Sequence, residues 1–225
     1  MKTSTGIVIL TLAAGLASGQ KVRRDLPKFL GATVTVTEPE QDVGGLFPKG
    51  PATVCVELKP QTQCYTPQKD FGLRSRISVI EIGKNTPALF FAVTSGGVSG
   101  FTYHFALLRP GGGKVLEDLF AADTSISNQS EHEFRAEPSI STAPIFLTAD
   151  YTIGPDEYHF GPHRYIISTY VRQPSTMLDN DLYCLHDRYL TIRKYDLDVK
   201  SDILATERPE ILARLRRIKA ANAPR

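Results

Sequence analysis

Two histidines and two carboxylates crowd one short segment, Asp156-Glu157-Tyr158-His159-Phe160-Gly161-Pro162-His163. Imidazoles with acid oxygens beside them are the ligand types of zinc or a similar ion. Gly161-Pro162 forbids the regular helix on which this histidine spacing converges, and no third ligand stands at a fixed distance along the chain. His159 and His163 are thus the metal candidates, the chemistry being metal-assisted hydrolysis. The competing expectation is a polar loop between strands, with His163 opening the second one.

Other groups point less far. Asp118 and Asp187 occupy matching places in two similar stretches and could form a carboxylate pair, but salt bridges to Arg109 and Arg188 account for them equally well. Gly97-Val98-Ser99-Gly100 misses the G-x-S-x-G spacing of a nucleophile turn and is followed by strand-like residues. Asp179-Asn180-Asp181 lacks the glycine and closing glutamate of a calcium loop. The chain contains no phosphate-cradling glycine loop, C-x-x-C or HExxH. No catalytic residue and no cofactor is assigned from these patterns. Tyr151, Tyr158, Tyr165, Tyr170, Tyr183, Tyr189 and Tyr195 could stack on a sugar or pack a partner, although about half should point inward at strand periodicity. Asn128-Gln129-Ser130 is a glycosylation sequon that matters only in a eukaryotic secretory route.

The context for any such chemistry is set by residues 1–19. Lys2, the apolar run Gly6–Leu16 and the small-x-small Ala17-Ser18-Gly19 have the layout of a secretory signal peptide. The run is shorter than the ~20 residues of a spanning helix, and no later segment approaches that length. Lys21, Arg23 and Arg24 oppose translocation of that flank. The expectation is an exported protein, periplasmic or extracellular, with no stable membrane span. Lys and Arg number 26 against 24 Asp and Glu, so no field exists to steer nucleic acid or an anionic membrane. An exported chain can hold disulfides. Cys55 and Cys64 flank a Pro-containing turn, and a tight hairpin would bring them within bridging distance, the alternative being that all three cysteines are buried thiols. Cys184 sits in an apolar run and reads as core.

The elements that must position these residues are almost all strands. Ala32–Thr37 alternates small apolar residues with Thr at period two, and Arg76–Ile82 is β-branched and short. Two later stretches can each be read as a three-stranded meander. One begins at Pro87 and the other 57 residues on at Pro144; the alternative is that any two all-β stretches align loosely. Near the end, Thr206–Lys219 has helical apolar spacing at Ile211, Leu212, Leu215 and Ile218, with Thr206 as cap and Pro209 in the first turn.

The predicted fold class is all-β, antiparallel and sandwich-like, with one C-terminal α-helix; two related three-stranded meanders are one way of reading its interior, and the class does not depend on them. The expected organisation is a signal peptide over 1–19, an N-terminal arm with one edge strand over 20–50, an all-β core over 51–200, and an amphipathic helix and tail over 201–225. Hydrophobic residues at 41% and charged ones at 22% describe an ordinary globular domain. The function expected is a non-catalytic binding or envelope-structural role towards a protein or envelope component of unknown identity. The alternative is a small secreted hydrolase using the His159/His163 loop.

Overall fold

A computed structural model describes residues 21–26, 29–68, 70–97, 100–122, 124–127, 130–155, 157–158, 161–174, 181–196 and 202–221, with the backbone alone described for 21–25. The expected signal segment, His159, Ser99 and the Asp179-Asn180 pair lie outside these residues. Among the described residues no helix is long and apolar enough to cross a membrane.

Among the described residues thirteen strands and two helices follow one another in the order of the chain. The first sheet takes β1 (Lys21–Leu26), β2 (Ala32–Thr37), β3 (Thr53–Leu58) and β4 (Gln61–Tyr65), each antiparallel to the next. The second takes β5 (Phe71–Glu81), β6 (Pro87–Ser95), β7 (Thr102–Pro110) and β8 (Leu116–Asp118), with the short β9 (Ile126–Ser127) also on β7. The third takes β10 (Glu131–Arg135), β11 (Ile145–Thr152), β12 (Arg164–Gln173) and β13 (Leu182–Leu190). Two helices, α1 (Ile203–Thr206) and α2 (Arg208–Ala221), close the chain.

The sheets stack because their strands carry apolar residues on the faces that meet. In β2 and β3 only alternate residues are apolar, so Val34, Val36, Val54 and Val56 line one face while Thr33, Thr35 and Cys55 lie on the other. Those valines pack on Leu89, Phe91, Val93, Ala106 and Leu108 of the second sheet. The intervening residues of the same strands, Ala88, Phe90, Ala92, Phe105 and Leu107, pack on Phe146, Tyr170 and Tyr183 of the third. The opposite face of the third sheet, Ile145, Leu147, Ala149 and Ile167, meets Ile203, Leu204, Ile211 and Leu215 of the helices. The all-β, sandwich-like class is realised as three face-packed sheets with a helical fourth layer. Continuous burial along β6 and β7 is the local mark of a sheet covered on both sides.

The strand of the N-terminal arm is not an edge. β2 pairs with β1 on one side and β3 on the other, and its valines are fully or nearly buried in the first core. Gln63 on β4 ties that sheet to the next: its amide donates to the carbonyls of Gly111 and Gly113 at 2.9 Å each and accepts from the Gly111 N–H at 3.1 Å.

Both meander units are antiparallel and consecutive, β6-β7-β8 and β11-β12-β13, and each is extended by a preceding strand. The prolines match Leu89 with Phe146, whose ladder partners are Leu108 and Tyr170. Arg109 then corresponds to Val171 rather than to Arg172, one residue away from the match of strand ends. Leu89 faces the first core and Phe146 the second, so residues matched in this way face the same direction along the stack.

The helix begins differently from its expected cap. Thr206 is the last residue of α1 and is exposed, while the carbonyl of Glu207 accepts the first bond of α2 from Ile211 N–H. The preceding turn is nucleated from outside. Glu131 on β10 accepts the N–H groups of Ile203 and Leu204 at 2.9 Å each, and the Asp202 side chain accepts from Ala205 N–H. Ile211 and Leu215 are buried on the sheet, with Leu212 and Ile218 half-buried beside them.

Candidate functional site

His163 is placed at the mouth of the third sheet, where its backbone exchanges hydrogen bonds with Tyr195 at 2.8 and 2.9 Å. Its ring is completely covered and meets the edge of Tyr151 at a centroid distance of 4.8 Å. Nδ1 lies 3.8 Å from Oε2 of Glu157, whose side chain is also out of contact with solvent although it sits at the periphery of the molecule. That carboxylate already accepts the Gly154 N–H at 2.9 Å and stands 3.5 Å from the Lys194 ammonium and 3.8 Å from the Arg164 guanidinium. The Gly154 N–H, followed by the Arg164 N–H and the two cations, outweighs burial and holds the Glu157 carboxyl below its ordinary value. A divalent cation at His163 would therefore meet two positive charges within about 4 Å of the nearest acid. Among the described residues no group of three or more His, Cys, Asp or Glu is disposed to hold a metal ion.

Asp118 and Asp187 are not a pair. Asp118 belongs to the second sheet, opposite Leu108, and Asp187 to the third, opposite Thr169. Asp118 Oδ1 accepts the N–H groups of Leu107 at 3.0 Å and Phe120 at 3.1 Å, and the carboxyl also takes a hydrogen bond from Tyr65. The Tyr65 hydroxyl lies 3.0 Å from Nε2 of the buried His104, so a chain of three polar groups runs through the first core over the small residue Ala106. Burial wins over these donors and pushes the Asp118 carboxyl up to about 6. Asp187 instead takes both forks of Arg214, at 2.6 and 3.0 Å, which holds its carboxyl below the ordinary range. The expected partners are thus replaced: Arg109 pairs with Glu117 at 3.3 Å, and Asp187 pairs with the helix rather than Arg188.

The tyrosines serve the interior. Tyr165, Tyr170, Tyr183 and Tyr195 are buried, Tyr151 and Tyr189 are half-buried, and Tyr158 alone of the seven is exposed. Tyr189 and Tyr195 both donate their hydroxyls to Glu207. Burial, then the anionic Glu207, raises both phenols far above the ordinary tyrosine value. Cys55 and Cys64 stand opposite each other in the β3–β4 ladder and are bridged, with Lys59 and cis Pro60 in the turn. Cys184 is a free thiol and only half-buried, because its neighbour Tyr183 takes the core-facing position.

A cleft of about 220 Å³ lies where the loop between β2 and β3 meets the start of β5, lined by Gln41, Leu46, Leu73, Arg74, Gly96 and Phe101. The loop is a rigid device built from its own polar groups. Asp42 Oδ1 accepts the N–H groups of Leu46 at 2.7 Å and Phe47 at 3.0 Å, Asp42 N–H donates to the Phe47 carbonyl at 2.8 Å, and Lys49 pairs with Glu40 at 3.0 Å. The Phe47 N–H leads the donors that pull the Asp42 carboxyl down. So held, the loop presents three apolar side chains within five residues: Val43 is fully exposed, Leu46 is 42% exposed and Phe47 46%. Its backbone presses on Gly96, where an added Cβ would lie 2.0 Å from the Leu46 carbonyl oxygen.

The other wall is shaped by irregular pairing. Two register shifts interrupt the β5–β6 ladder, one between Phe71 and Leu73 and one between Leu73 and Arg76, and within the second Arg74 adopts the left-handed conformation at φ 53°. Its guanidinium carbon sits 4.6 Å above the Phe101 ring. Sequence reasoning assigned the loop only to an N-terminal arm over 20–50, although Gly44-Gly45 and Gly96-Gly97 marked the close approach and Phe47 was an apolar residue out of place. No protein-family model, no curated protein and no solved structure matches the chain.

Proposed function

We propose that this chain is an exported binding domain without catalysis, whose contact surface is the loop carrying Val43, Leu46 and Phe47 and the cleft beside it. The observation that carries the reading is the presentation itself: large apolar side chains are held in water by a loop whose polar groups are spent on fixing it. A contact loop fixed beforehand loses little conformational entropy on binding, and exposed apolar clusters are where association gains most. The Cys55–Cys64 disulfide in the first sheet fits an oxidising compartment, as does the signal-like leader.

The test is site-specific photocrosslinking in the native envelope, with the photoreactive residue at position 43 or, as control, at the equally exposed Ile192. A discrete adduct from position 43 and none from 192 is expected; no adduct particular to 43 overturns the reading. Fractionation of the same cells reports export separately, and retention of the full-length chain in the cytoplasm overturns that part alone.

A further inference from the structure

We infer that the cleft between the Asp42–Phe47 loop and Arg74 recognises an extended peptide segment carrying a carboxylate next to one apolar side chain; this deepens the binding reading and rests on it. Arg74 is the group that selects charge. Two bulges within six residues re-aim this part of β5, and a non-glycine residue stays in the left-handed region only where its surroundings impose it. The result is an exposed guanidinium seated on Phe101, and among the described residues none ion-pairs with it or accepts a hydrogen bond from it. Planar forked donors on an aromatic seat suit a carboxylate.

The apolar half of the ligand follows from the loop that walls the cleft, where Val43, Leu46 and Phe47 are exposed. The cleft itself holds about 220 Å³ and is lined by Gln41, Arg74 and Ser95 as well as by Leu46, Leu73 and Phe101. Leu73 lines the cleft, Leu46 its wall, and Phe47 and Val43 extend the apolar surface outward. An anionic bilayer is the poorer occupant, since Glu40 and Asp42 in the same loop would face it and one arginine is no basic cluster. A neutral apolar peptide would leave Arg74 without its acceptor.

The experiment is selection of a displayed random heptapeptide library against the whole chain, in the wild type, in Arg74→Gln, and in the triple variant Val43→Ser/Leu46→Ser/Phe47→Ser. The selected wild-type pool should carry Asp or Glu beside Leu, Ile, Phe or Tyr. A synthetic peptide from that pool should lose about tenfold or more in affinity to Arg74→Gln, and equally when its own Glu becomes Gln. Arg74→Gly suits the left-handed backbone and removes the guanidinium without straining the fold, so it repeats the measurement if the Gln variant folds poorly. Peptides that lose binding to the triple variant but not to either Arg74 variant overturn the carboxylate inference and leave the binding domain standing. A pool with no enrichment overturns both.

Discussion

Asp118→Asn isolates a single buried charge whose consequence for stability has a definite sign. The wild-type carboxyl lies among Leu107, Phe120 and Tyr65, and its folded value of about 6 stands above the ~4 of an unfolded aspartate. The native state therefore holds the proton more tightly between these values. Its contribution to stability is fully present below pH ~4 and is lost as the pH rises through about 6. At ~1.4 kcal/mol per unit the full displacement is worth up to ~3 kcal/mol, and partial access to solvent reduces it to about 1–3 kcal/mol. Asparagine keeps an oxygen for the two N–H donors and presents an amide N–H to the Tyr65 oxygen. Tyr65 then gives its own proton to Nε2 of His104, 3.0 Å away, so the chain of polar groups is satisfied with its direction reversed. Urea unfolding of both proteins at pH 4, 5, 6 and 7, followed by far-UV circular dichroism, measures the difference directly. The variant should gain on the wild type by about 1–3 kcal/mol from pH 4 to 7, ending at least as stable. A flat difference refutes the reasoning, and a difference that falls with pH shows that the three donors, not burial, set this group.

Three further outcomes are expected. Cys55→Ser/Cys64→Ser opens a loop of sequence separation 9, which loop entropy makes worth about 2–3 kcal/mol, read as a lower urea midpoint. Gly96→Ala drives a methyl into the Leu46 carbonyl, so the amide resonances of residues 42–47 should shift and stability should fall by about 1–3 kcal/mol; unchanged loop resonances would show that the two segments do not touch. Because Arg214 holds the Asp187 carboxyl below its unfolded value, that pair stabilises at neutral pH and fails as the pH drops through the folded value. A double-mutant cycle with Asp187→Asn and Arg214→Gln should give a coupling of about 1 kcal/mol at pH 7 that vanishes in acid.

How far the sequence reached depended on whether a feature was local. The alternation of Thr with Val in β2 announces a sheet with one buried face, and the unbroken Leu89-Phe90-Phe91-Ala92-Val93 announces one buried on both; a two-layer sandwich could not accommodate the second pattern, and the third sheet resolves it. The hairpin around Pro60 was legible for the same reason, with one cysteine on each side of a short turn. Contacts across long separations were not legible. Glu131 organises the start of a helix 72 residues away, and Asp187 finds Arg214 rather than its sequence neighbour, because docking brings those groups together. Arg74 was hidden for a different reason: its position is made by irregular pairing, and periodicity assumes that pairing is regular.

The stack also explains why an interaction surface would sit at a loop between the first two sheets. At the helical end, charge is consumed in attachment: Glu131, Glu137, Asp187 and Glu207 on the sheet side or at the helix start meet the N–H groups of α1, Arg208, Arg214 and two tyrosine hydroxyls. The basic face that the helix displays in sequence is thus largely spent, with Lys219 on the Ser139 carbonyl and Arg217 on Glu210. At the other end, the outer face of the first sheet carries Thr33, Thr35 and the disulfide, a surface with little apolar area. The middle sheet has both faces covered and can reach solvent through its ends and edges. One such end is the start of β5 with the Gly96 turn, and there the first sheet sends out a braced apolar loop. A partner docking at that corner would touch two layers at once without opening any core, which is how a rigid three-sheet body can recognise something without changing shape.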